Sequence, residues 1–190
     1  MPTRDNRVIS VLNSQFNTRA EDNNKYIEGY FAVFNQKYDL WEDAYEMIDP
    51  QAFGDLTGED VRALINHDTT LVLGRTKVNT LSLKVDDHGL WGSVLINEED
   101  QDAMNIYARV QRGDVSQCSF GFHITDEEII RNGGETCFLI KGVKLYEVSV
   151  CTFPAYETTH VQARQKELEE INSNRLAAWK GTMLAKLRKE

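Results

Sequence analysis

The feature that most constrains this chain is the rhythm of its first 150 residues, where short β-prone runs alternate with turn signals. Arg7–Asn13 alternates apolar residues with others, and Tyr26–Phe34 (YIEGYFAVF) is aromatic and rich in strand formers. Gly29 inside that run marks a bend or a close backbone approach. Val72–Arg75 and Leu81–Val85 read as strands, and Asp87-His88-Gly89 supplies a turn from which Leu90–Ile96 returns as a hairpin partner. Further along, Val115–Ile124, Thr136–Ile140 and Val143–Cys151 continue the series, with Asn132-Gly133-Gly134 turning the chain between the first two. So many strands with so few helices bury their apolar faces best as a compact, mostly antiparallel sheet or barrel. The expected fold is α+β with an antiparallel, β-barrel-like core.

Three segments depart from the rhythm. QKYDLWEDAYEMIDPQAFGDL is polar and acidic and reads as a loop with at most one helical turn. The second is a helix: Asn97 is a good N-cap, Glu98, Glu99 and Asp100 load the first turn, and Gly113 is a natural stop. Ala103, Ile106, Tyr107 and Val110 recur within it at helical spacing and are expected to face the core. From His160 onward the chain is charged, helix-forming and free of proline. Val161, Leu168, Ile171, Leu176, Trp179 and Leu187 are too sparse there for a full core face. The expected division is a domain over 1–159 and a solvated or partner-binding helical tail over 160–190.

Charge and composition narrow the partners. A net charge of −9 and a pI near 5.0 argue against a nucleic-acid coat and against an anionic-membrane binder. No apolar run approaches the roughly 18 residues of a membrane span. The N-terminus, MPTRDNRVISVLNSQ, lacks the apolar stretch of a secretory signal, so a soluble intracellular protein is expected. Cys118, Cys137 and Cys151 are odd in number and fit no zinc spacing, which predicts reduced, buried thiols. There is no Gly-rich phosphate loop, H-E-x-x-H helix or calcium loop, so no cofactor, nucleotide or metal is expected.

The chemistry is concentrated in DVSQCSFGFHI, residues 114–124, a strand-like run that holds small hydroxyls and a glycine where Val or Ile would pack better. Nucleophilic catalysis needs a hydroxyl or thiol, a base within reach and a group orienting that base. Ser116, Cys118 and Ser119 are the candidate nucleophiles. Strand alternation puts Cys118, Phe120 and Phe122 on one face, which reads as core, and Ser119 with Gly121 on the other. The four histidines are the candidate bases. His88 reads as a solvated turn residue, His160 as exposed, and His123 as either core or rim. His67 stands out between Asn66 and Asp68 at the end of an apolar run. In KLYEVSVCTFPAY, Glu147 sits inside an apolar strand where burial without a partner is costly. It is a candidate partner for an imidazole, with Asp68 as the rival. A backbone N–H is the default oxyanion stabiliser; Arg75 is a candidate, but an arginine ending a strand is more often a surface charge.

The order of NHD (66–68), LGR (73–75), a helix, SQCSFGF (116–122) and YEVSVCTFPAY (146–156) resembles the prohead proteases of tailed bacteriophages over roughly residues 25–156. That family comprises serine peptidases that mature capsids and is similar to the herpesvirus assemblins. The resemblance implies His67 as base, Ser119 as nucleophile and Glu147 as third member, although assemblins use a second histidine at that station. Small residues in the serine strand then follow from a need for a substrate carbonyl to reach Ser119, with Gly121 keeping the approach clear. The resemblance further implies an endopeptidase that cuts scaffold, the N-terminal part of the major capsid protein and itself, in the host cytoplasm inside the assembling procapsid. A homodimer is implied by the same route. The alternative is a non-enzymatic scaffolding protein that keeps the protease fold; a small-molecule acyl hydrolase is weaker because no G-x-S-x-G elbow is present.

Overall fold

The structure is a computed structural model that describes residues 7–11, 16–153 and 158–187. In chain order its elements are β1 (Arg7–Val11), β2 (Asn17–Glu21), β3 (Asn24–Val33), β4 (Tyr38–Trp41), β5 (Ala44–Ile48), β6 (Arg62–Ile65), β7 (Asp68–Arg75), β8 (Leu81–Val85), β9 (Gly89–Ile96), α1 (Gln101–Arg112), β10 (Gln117–Asn132), β11 (Glu135–Cys151) and α2 (Thr158–Leu187). The chain divides into two compact units, Met1–Ala155 and Tyr156–Glu190. The second contains α2, a single helix on which Leu176, Trp179 and Met183 are exposed.

Strands dominate the first unit, as the turn-punctuated pattern predicts, and the class is α+β. The barrel-like closure expected from sequence is not seen among the described residues. The strands instead form two sheets, one of seven strands built on the order β1-β10-β11-β5-β4 with β6 and β7 attached, and one of four in the order β2-β3-β9-β8. Most neighbours are antiparallel, but β11 pairs in parallel with β5 along Thr136–Ile140 and with β6 along Glu147–Val150. The strands expected at 136–140 and 143–151 are one, running through Gly142 with register irregularities opposite Asp126. β10 turns into β11 at Gly133-Gly134, whose φ angles of 58° and 107° suit a two-residue hairpin that glycine adopts without strain.

The acidic stretch expected to be a loop contains β4 and β5. Its alternation is disguised because Glu46, itself 2% exposed, occupies an inward position between Ala44 and Ile48. The helix expectation holds in its inward face of Ala103, Ile106, Tyr107 and Val110, and in its end, where Gly113 N–H donates to Arg109 and Val110 carbonyls. Its cap is Asp100, not Asn97: the Asp100 carboxylate accepts from the N–H groups of Asp102 and Ala103. Asn97 caps only a preceding turn through Glu99 N–H. On the core face of β10, Phe120 and Phe122 stack at 4.7 Å between centroids, and Phe53 packs on Phe120 at 5.6 Å. Each is a fully or nearly fully buried aromatic, worth about 1.5–3 kcal/mol relative to exposure.

Arg75, the candidate oxyanion group, is engaged elsewhere. Its guanidinium donates Nε–H and Nη2–H to the two carboxylate oxygens of Asp60, both at 2.7 Å. Those hydrogen bonds hold the Asp60 carboxyl down at about 2. Because this folded value lies below the ordinary one of about 3.9, the pair stabilises at neutral pH and its contribution fades as pH falls from about 4 through about 2. Thermal melts of wild type and Asp60→Asn are therefore expected to differ at neutral pH and to converge in that acid window. A constant difference across it would show that the ion pair is not the source.

Candidate active site

The site is built around a tight turn. β6 and β7 are joined by Asn66-His67, whose φ angles of 50° and 61° are both positive, as a two-residue type I′ hairpin requires. Asparagine tolerates this region well, but a histidine held there costs about 1–3 kcal/mol and stays only where its surroundings impose it. They do, through β11. Asn66 N–H donates to Val150 O at 3.0 Å, His67 N–H donates to the Ser149 hydroxyl at 3.2 Å, and Thr152 N–H donates to Asn66 Oδ1 at 2.9 Å. The parallel register of β6 on β11, with Ile65 beside Val150, brings the turn to this place.

The imidazole of His67 then lies against Glu147, with Nδ1 2.8 Å from Oε1. The other carboxylate oxygen, Oε2, accepts from the Ser149 hydroxyl at 2.6 Å. Glu147 is thus a largely buried carboxylate, 14% exposed, with a partner at each oxygen, which answers the cost of placing it in an apolar strand. A neutral imidazole donating Nδ1–H to Glu147 keeps its lone pair on Nε2, the atom that accepts a proton. The Cys151 sulfur stands 3.7 Å from that Nε2. Burial pushes the Cys151 thiol up to about 12, with the Glu147 charge adding to it, so this sulfur is a neutral wall of the site and no thiolate nucleophile.

Ser119 is placed by strand register. It pairs directly with Ser149 across β10 and β11, and cross-strand partners present their side chains on the same face. By alternation along β11, Glu147, Ser149 and Cys151 share that face. Ser119 and Ser149 are both completely buried, which corrects the expectation of an open approach to Ser119. Gly121, two residues on, sits opposite Glu147, and a Cβ built there would lie 2.4 Å from Glu147 Oε1. The space that Gly121 leaves is therefore filled by the Glu147 carboxylate and is not a path for substrate.

The remaining candidates fall away from this cluster. Ser116 is exposed and precedes β10. Cys118 is fully buried on the core face, its thiol donating to Tyr30 O at 3.0 Å. All three cysteines are buried and free, as expected. The rival carboxylate Asp68 accepts from Thr70 N–H and the Thr70 hydroxyl, bonds that lower its pKa and turn it back along its own strand. His88 is exposed, edge-on to Tyr30; His123 is half-buried against Tyr146; the side chain of His160 lies outside those described. Ser149 was overlooked by sequence reasoning, although period-two alternation in YEVSVC already put it on the face of Glu147.

A serine and a carboxylate on one sheet face, with an imidazole held against the carboxylate, are the ingredients of the serine peptidase class. The chain belongs to the family of caudovirus prohead serine proteases, whose profile matches residues 14–174. It is similar to the prohead protease of Enterobacteria phage HK97, 30% identical over 155 residues covering 78% of this chain; the chain spans 63% of that relative's length. Among solved structures it is similar to the bacteriophage T4 capsid assembly protease gp21, with a TM-score of 0.48 and 12% identity over 79% of this chain and 99% of the other.

Proposed function

We propose that this chain is a serine endopeptidase that cleaves scaffold and major capsid protein, and itself, inside an assembling procapsid in the host cytoplasm. The observation that carries the reading is the His67–Glu147 contact of 2.8 Å on the sheet face that also bears Ser119. In this mechanism His67 Nε2 takes the proton of the Ser119 hydroxyl as its oxygen attacks the scissile carbonyl. The same proton passes to the departing amine, and water repeats the cycle on the acyl-enzyme. Glu147 fixes the ring through Nδ1–H and stabilises the imidazolium. An assemblin-like core and a homodimer complete the reading and rest on the resemblance in motif order. A catalytic unit over 1–159 with a separately acting tail over 160–190 rests on the charged, apolar-poor composition that begins at His160.

Complete burial of Ser119 favours a second reading, a non-enzymatic assembly protein that retains the fold. A fluorophosphonate separates the two. The proteolytic reading expects phosphonylation at Ser119, seen as a mass shift on the peptide containing it. Because a buried hydroxyl is reached only after an opening step, the labelling rate should level off as reagent concentration rises. Absence of labelling at Ser119, in a chain that also leaves co-expressed capsid protein uncut, would establish the non-enzymatic reading.

A further inference from the structure

We infer that Ser149 is a positioning residue for the His67–Glu147 pair, acting on both of its members at once. Its hydroxyl donates to Glu147 Oε2 at 2.6 Å and accepts the backbone N–H of His67 at 3.2 Å. The one oxygen thereby fixes the carboxylate and the turn that carries the imidazole.

Geometry gives each bond a separate consequence. A carboxylate on a glutamate has three side-chain torsions to settle, and the His67 contact restrains only one oxygen. The Ser149 bond holds the second oxygen and so sets the plane in which Oε1 meets Nδ1. The other bond falls on a backbone that resists its own conformation, since His67 sits at φ 61°. Capturing its N–H helps keep that turn against β11. Ser149 is fully buried, so no water takes over either bond when the hydroxyl is removed. Its side chain also shares a cross-strand pair with Ser119, which places the hydroxyl between the strand of the nucleophile and the base it serves.

The inference rests on the proteolytic reading for its kinetic arm but not for its spectroscopic one. In the full chain, Ser149→Ala is expected to lower kcat by roughly 10- to 100-fold, with KM little changed, on a peptide spanning a site that wild type cuts in its capsid protein. The low-field proton resonance of the His67 Nδ1–H···Glu147 hydrogen bond should shift or broaden in the same variant. Ser149→Thr and Ser149→Val have equal bulk, and only threonine retains the hydroxyl. Threonine is expected to recover the resonance and most of kcat, and valine neither. This pair carries the test if the alanine variant does not fold. An unchanged kcat, a rise confined to KM, an unaltered resonance or equal behaviour of threonine and valine would each overturn the assignment. Failure of the proteolytic reading would look different: Ser119→Ala would match wild type while the resonance still responded to Ser149.

Discussion

Replacing Ser119 with alanine is expected to give a folded protein that leaves its capsid protein uncut. The substitution removes one oxygen from a strand position between Cys118 and Phe120, whose core packing it does not touch. The stability change should stay within about 1–3 kcal/mol, the cost of disturbing a buried hydrogen-bonding group. The catalytic loss should be far larger, on the order of 10⁶-fold, as when a triad serine is removed elsewhere. His67→Ala is expected to match it, because nucleophile and base act as a unit. Glu147→Gln should retain more, with a loss of roughly 10⁴-fold, since the amide keeps the shape and loses the charge facing Nδ1. Co-expression with the capsid protein and mass analysis of the products reads all three. Ser116→Ala is the control, exposed and outside the cluster. If it abolished cutting while Ser119→Ala did not, the nucleophile would be misassigned. Full activity of Glu147→Gln would reduce that residue to a bystander.

Gly121→Ala is expected to lose activity up to the extent of Glu147→Gln without any of the three residues being substituted. The new Cβ would lie 2.4 Å from Glu147 Oε1 and 3.1 Å from its Cγ and Cδ, distances that cannot be kept. The easiest escape is rotation of the glutamate, since its carboxylate is the free end of a flexible side chain while the two strands are locked by their ladder. That rotation breaks the 2.8 Å contact to His67 Nδ1 and the 2.6 Å bond from Ser149. The fold should persist, with a small drop in melting temperature, while kcat falls by roughly 10²- to 10⁴-fold. Because both changes act through one carboxylate, the double variant Gly121→Ala/Glu147→Gln should be little worse than either alone. Additive losses would show that the glycine serves another purpose, such as the approach of substrate.

Much of the site was legible because it is written locally. Period-two alternation separates Ser119 and Gly121 from the aromatic face of β10, and Glu147 from the valines of β11, and the structure keeps both divisions. Helical spacing marked the inward face of α1 for the same reason: a side chain's direction follows from its own backbone within a turn or two. What escaped was set by residues distant in sequence. β5 pairs on one side with the neighbouring β4 and on the other with Thr136–Ile140, a partner about 90 residues away, and that second pairing has no signal in an acidic, glutamate-interrupted run. The cap of α1 is Asp100 and not Asn97 because Asn97, three residues earlier, closes the preceding turn at Glu99 while the Asp100 carboxylate meets the N–H groups of Asp102 and Ala103.

By itself, then, the sequence determined the residue types, the faces they occupy and a β-rich class, since these follow from backbone period and burial preference. Tertiary structure alone decided that the described strands divide into two sheets, that Arg75 answers to Asp60, and that Gly121 makes room for a carboxylate. It also decided that His67, 80 residues before Glu147, meets it through a strained turn pinned to β11 by Ser149. The reason is physical. A parallel pairing between β6 and β11 has no hairpin to announce it, and its register is fixed only when both strands are packed in one sheet.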